Sequence, residues 1–183
     1  FNPCRAHHVP PNMTSSPSIV WLRQDLRLQD QPALVAACAE GPIVPVYILD
    51  DALAGPRKMG GAQRWWLHHS LVALQAAFAE RGVPLVLRRG DSLSVLAALC
   101  AQTGARRIHA IHHYEPWWQQ AEREVAAEQD LVLHHGNHLA PPSSILTGAG
   151  TRFRVFTPWW RALLQTMPPP KPIPMPEHMA AVA

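Results

Sequence analysis

The chain has 183 residues, 48% of them hydrophobic and 16% charged, with a formal charge of +3. That length makes one domain the default with room for a sizeable core, and the apolar share excludes a disordered chain. The charge is slight and Lys/Arg form no stripe, which argues against a dedicated nucleic-acid binder. No apolar run approaches the roughly 20 residues that span a bilayer, so no membrane partner is expected.

Residues 1–17 mix Pro, Ser and His, lack periodicity and carry no apolar core of a signal peptide. They read as a disordered extension in which Met13 is a candidate start. The cysteines, Cys4, Cys38 and Cys100, show no CxxC spacing. They predict a reduced, cytoplasmic protein with buried thiols.

From Ser18 the pattern alternates. Residues 19–22 (IVWL) form an apolar run that ends in a charged turn with Arg23, Asp25, Arg27 and Asp30. A helix over 32–40 follows, with Asp30 as its expected N-cap and Pro32 in its first turn. Residues 43–49 (IVPVYIL) are almost wholly apolar, as a strand buried on both faces requires. A helix over 62–81 places Leu67, Leu71, Leu74 and Phe78 on one stripe, with Gly82 suited to its C-cap. A short strand over 84–88 precedes a helix over 92–103 that turns Leu93, Leu96 and Cys100 inward. A strand over 106–111 ends at His112-His113. A helix over 116–129 aligns Trp117, Ala121 and Val125, and a last strand covers 131–134.

Strands that alternate with helices through short loops predict an α/β fold. We expect a five-stranded, doubly wound parallel sheet (Rossmann-like, order 3-2-1-4-5) with helices on both faces. The domain would run over 18–165, with a further helix starting near Thr157-Pro158. Residues 166–183 contain MPPPKPIPMP, which neither continues a helix nor joins a sheet. They read as a Pro-rich linker toward a missing domain.

In such a sheet the ligand crevice lies beyond the carboxyl ends of the strands, where strand order reverses. The loop after the first strand would face the loop after the fourth, His112 to Pro116. Asp50 and Asp51 arrive from the second strand, and Arg64, Trp65 and His68 from the start of the second helix. Such a pocket suits a small planar ligand. Each group also has a plainer reading: ion pairs closing the first turn, turn residues at Asp50-Asp51, and a helix-terminal carboxylate at Glu115. One member of each Trp pair (65-66, 117-118, 159-160) is expected in the core or an interface, with Trp65 suited to stacking on a ligand. There is no HExxH motif and no His pair at i, i+4, so no metal is expected. GxGxxG, Walker and GxSxG motifs are absent too, and no catalytic residue is assigned.

VWLRQDLRLQDQPAL, VPVYILDD, RWWLHHSLVALQAAF, HHYEPW and GTRFRVFTPWWRAL, in that order, resemble the DNA photolyase/cryptochrome family. The resemblance covers Ser18 to about Leu164, and its opening motif is the most specific part. It implies the N-terminal α/β domain, which carries an antenna chromophore (a folate, an 8-hydroxy-deazaflavin or FMN). It further implies a C-terminal helical domain that binds FAD and damaged DNA, so this stretch alone would not repair DNA. By the same resemblance, Arg23, Asp25 and Leu26 line the chromophore pocket, and Asp50, Arg64, Trp65, His68 and Glu115 fall in adjoining segments. Arg27 and Asp30 match positions expected to be structural. His112-His113 departs from the more usual asparagine-containing loop. The alternatives are a cryptochrome-type blue-light photoreceptor and a stand-alone nucleotide-binding module.

Overall fold

The computed structural model describes residues 16–142 and 144–182. Cys4, Met13 and most of the expected N-terminal extension lie outside them. Five strands, β1 (Ser18–Leu22), β2 (Ile43–Leu49), β3 (Val86–Arg89), β4 (Arg107–Ile111) and β5 (Asp130–His134), form one parallel sheet in the order β3-β2-β1-β4-β5. The expected order therefore stands. Pro45 is accommodated within β2 because the β2–β3 ladder begins only at Val46, so no partner on that side awaits its missing N–H.

The helices are α1 (Pro32–Glu40), α2 (Gly61–Ala79), α3 (Ser92–Thr103), α4 (Pro116–Glu128) and α5 (Phe156–Leu164). The two-residue period of β1 divides the core. Ile19 and Trp21 join Leu96, Leu99, Trp118, Ala121 and Val125 of α3 and α4. Val20 and Leu22 join Leu34 and Ala37 of α1 and Leu74 and Phe78 of α2.

Several local expectations change. Asp30 does not cap α1: Gln31 holds the N-cap position without a side-chain bond. Asp30 instead adopts φ 53° and turns toward the tail. The regular part of α2 ends at Ala79, and Gly82 (φ 71°) closes it with the bonds Gly82 N–H to Ala79 O and Val83 N–H to Phe78 O. That pair of bonds needs a left-handed residue, which glycine supplies at least cost. β3 starts at Val86 rather than 84, since Pro84 has no N–H to donate. Leu99 and Trp118 are buried on the inward faces of α3 and α4, and the expected Cys100 and Trp117 pack partly buried against the same core. Cys38 and Cys100 are free thiols but only half-buried, and burial pushes Cys38 up to about 11.

The Pro-rich segment touches the domain at a few points. Asp30 N–H donates to Ile173 O, and Asp30 Oδ1 accepts from Ile173 N–H. Ile43 N–H donates to Ala180 O, and Met175, Met179 and Ala181 pack on the α1–α2 side of the core. Through these contacts the tail forms a strap along the domain, while residues 168–174 stay exposed to solvent.

Candidate functional site

β1 and β4 are neighbours whose following connections leave to opposite faces, so their carboxyl ends form the switch point of the sheet. Two adjoining cavities open there and share Gln24 and Arg27. The outer one, ≈ 720 Å³, is lined by the β1 turn, by His113, Tyr114 and Glu115 from the β4 turn, and by residues 136–138 after β5. The inner one, ≈ 370 Å³, lies toward α2 and is walled by Leu26, Met59, Trp66, Leu67 and Trp118. Its polar groups come from Arg23, Tyr47, Gln63 and Ser70. The two corners picked out in the sequence do rim a shared space.

Beneath them lies a buried ionic cluster. Arg23 is 2% exposed and donates through Nη1 to Glu122 Oε1 at 2.7 Å and through Nη2 to Ile111 O. Its guanidinium lies 4.4 Å from the Trp21 ring and 5.3 Å from that of Trp118, in cation–π range of two rings that meet edge to face. Desolvation lowers the Arg23 pKa against the pull of Glu122. Glu122 Oε1 also accepts from His113 N–H at 2.9 Å, and Oε2 bonds His112 Nδ1 at 2.5 Å. Asp25 accepts from Arg23 N–H (2.9 Å) and Gln31 Nε2 (2.6 Å). Burial acts to raise the Asp25 carboxyl, but His113, these two donors and the Arg23 charge outweigh it and hold it below the ordinary carboxylate value.

The sequence-derived residues therefore separate into groups. Arg23 and Leu26 line the inner cavity and Glu115 the outer one. Asp25 is a buried brace below both. Asp50 accepts from Ser92 N–H and Oγ (3.0 Å each) and from Leu53 N–H, which fixes the start of α3. Arg64 is held by Asp51 at 2.5 Å and by Met59 O. Trp65 and His68 do not join the cavities: Trp65 is 62% exposed with its ring on His69, and His68 is exposed beside it. On α2 the residues that line the cavity are Gln63, Trp66, Leu67 and Ser70, of which Trp66 is itself 69% exposed, and position 65 is about 100° away from Trp66.

Glu122, Tyr47 and Trp118 were missed. Glu122 stands on the buried stripe of α4, between Ala121 and Val125, and a carboxylate there is a readable sign of an internal cation. Arg27, expected to be structural, both lines the cavities and braces them, donating to Asp30 O, Asn137 Oδ1 and Gly136 O. Burial pushes Tyr47 up to about 12, so its phenol stays a neutral donor. Arg23 Nε and Trp118 Nε1 are buried without a hydrogen-bond partner.

Comparison with known proteins gives these features a family. The DNA photolyase family model matches residues 18–177. A deoxyribodipyrimidine photo-lyase of Agrobacterium fabrum is 39% identical over 93% of this chain and 36% of its own length. Cryptochrome-1 of Arabidopsis thaliana is 31% identical over 88% of this chain and 25% of its own. Among solved structures, a bacterial class III photolyase from Agrobacterium tumefaciens superposes with a TM-score of 0.82 at 36% identity, over 95% of this chain and 37% of that one. A photolyase from Sulfolobus tokodaii, solved with two FAD molecules and described as implying a novel light-harvesting cofactor, shares the fold (TM-score 0.76, 21% identity, 90% of this chain and 38% of that one). The chain thus spans about a third of the relatives it matches. With the parallel sheet in its predicted order and the family match extending from β1 into the strap, the chain belongs to the DNA photolyase family, as its N-terminal α/β domain.

Proposed function

We propose that this domain binds an antenna chromophore at the β1–β4 switch point and serves an FAD-binding helical domain of the kind its longer relatives leave room for. The observation that carries this reading is the pair of cavities itself, with apolar and aromatic walls and a few polar groups at the inner one. Apolar and aromatic walls with hydrogen-bonding groups from Tyr47, Gln63 and Ser70 fit a flat heteroaromatic with polar edge atoms. A folate, an 8-hydroxy-deazaflavin and FMN all meet that description.

When bound, such a pigment would absorb near-UV or blue light and pass its excitation to FAD. The chain's own residues do the holding. Trp66, Leu67, Met59 and Leu26 offer faces for ring packing. Tyr47, Gln63 and Ser70 offer hydrogen bonds along an edge, and the Arg23–Glu122 pair fixes the floor. Repair of pyrimidine dimers and contact with damaged DNA belong, in this reading, to the helical domain. Val155, Phe156, Trp160 and Leu164, exposed on and before α5, are the surface such a domain would cover.

The test adds FMN, an 8-hydroxy-deazaflavin and methenyltetrahydrofolate separately and follows visible absorbance and melting temperature. A binder at a hundredfold excess over its Kd adds about 2.7 kcal/mol. One pigment should raise the melting temperature and show a shifted spectrum. Stabilisation by AMP or ATP alone would make this a nucleotide-binding module, and no response to any pigment would overturn the antenna reading.

A further inference from the structure

The inner cavity continues beyond the start of α2. A narrower recess of ≈ 60 Å³ adjoins it and shares Tyr47, Gln63 and Trp118 among its walls. Beside the ≈ 370 Å³ of the inner cavity, the recess suits a small group rather than a ring system. Its far end is lined by Asp50, Asp51, Arg57 and Lys58, all from the connection between β2 and α2.

The two carboxylates there are already engaged. Asp51 pairs with Arg64 at 2.5 Å and with Arg89 at 3.2 Å, and Asp50 accepts from Ser92 and Leu53. The two cations differ. Among the described residues neither Arg57 nor Lys58 forms an ion pair or a side-chain hydrogen bond, and Lys58 acts on Asp51 only through space. Arg57 lies with its guanidinium 5.9 Å from the Trp117 ring, which leaves its N–H groups open to an acceptor. The backbone that presents them is ordered: Arg57 N–H donates to Ala54 O and Lys58 N–H to Gly55 O. The outer cavity has the opposite balance. Asp30 and Glu115 line it against one guanidinium, Arg27, which is occupied by Asp30 O, Asn137 and Gly136 O.

We propose that Arg57 and Lys58 form a subsite for an anionic tail of the pigment, a phosphate or a carboxylate, while its ring system fills the inner cavity. The inference rests on the antenna reading and adds an orientation to it: the tail points toward the connection between β2 and α2 and away from the carboxylates of the outer cavity. It also makes the two residues determinants of specificity. They favour a pigment with a charged tail over its neutral parent, and because both are exposed, salt weakens that preference.

The experiment measures dissociation constants at low salt for matched pairs. These are FMN against riboflavin, a phosphorylated 8-hydroxy-deazaflavin against its unphosphorylated form, and methenyltetrahydrofolate against the same pterin without its glutamate. In a pair that binds, the charged member should bind about three- to tenfold tighter, the amount two exposed cations supply. A gap in the flavin or deazaflavin pair identifies phosphate, and a gap in the folate pair identifies carboxylate. In Arg57→Gln with Lys58→Gln the gap should close, while the neutral member's affinity and the melting temperature hold. Arg106→Gln, which removes an exposed cation at the amino end of β4, should leave the gap intact. Equal affinities in every pair that binds, or a gap that survives the double change, would overturn the subsite and leave the antenna reading standing. Failure of every pigment to bind would overturn the antenna reading and the subsite with it.

Discussion

Arg23 brings a full charge into the interior, and the surrounding groups arrange themselves around it. Trp21 and Trp118 lie within cation–π range of it, and Glu122 and Ile111 O take its N–H groups. Arg23→Met keeps most of the volume but strands the Glu122 carboxylate, so we expect a loss of about 3–5 kcal/mol in urea denaturation. A loss below about 1 kcal/mol would show that Glu122 finds another partner. His134 makes a second prediction at this scale. It is half-buried, with Nε2 3.0 Å from His109 Nδ1, and His109 Nε2 bonds Glu40 at 3.1 Å. Burial, then the neighbouring His109, holds the His134 pKa below its ordinary value. The unfolded chain therefore takes up this proton first. The contribution of His134 is complete above about pH 6.5 and disappears as pH falls through the lower folded value. His134→Gln should flatten this part of the stability profile between pH 7 and 5, and an unchanged profile would assign the acid sensitivity elsewhere.

Among the elements, the turn after β5 is the most tightly specified. A Cβ on Gly136 would meet Ile111 Cδ1 at 2.8 Å and Pro32 Cγ at 3.1 Å, while Gly136 O accepts from Arg27. Gly136→Ala should cost about 1–3 kcal/mol by overpacking and distort the outer cavity, measurable as a lower urea midpoint together with weaker pigment binding. A neutral substitution would mean that the β5 turn can retreat. Strands and helices were legible in the sequence because this sheet obeys local rules: continuous apolar runs, prolines in first turns, and glycine after α2. What was not legible depends on three-dimensional choices. Trp65 and Trp66 are equivalent in composition, and only the rotation of α2 decides which one reaches the cavity. Asp30 looks like an N-cap until the strap, more than a hundred residues later, claims its carboxylate. The charged turn after β1 announced a site, yet its buried partner Glu122 lies 99 residues away from Arg23.

Over the whole molecule, polar and apolar surface are unevenly shared. Phe156 is 67% exposed, and Trp160 and Leu164 lie open beside it on α5. A contiguous apolar face of this kind favours association. The double change Phe156→Ser with Trp160→Ser should lower self-association in sedimentation at high concentration. It should move the melting temperature by less than about 2 °C, because little burial is lost. A large drop in melting temperature would show that α5 already stabilises this domain. No described helix is long and apolar enough to cross a membrane. Asp30 belongs at once to the wall of the outer cavity and to the clasp on Ile173. Traction on the tail cannot release Ile173 without undoing two bonds at that wall, so mechanical load on the departing polypeptide would be felt as a change in the outline of the chamber.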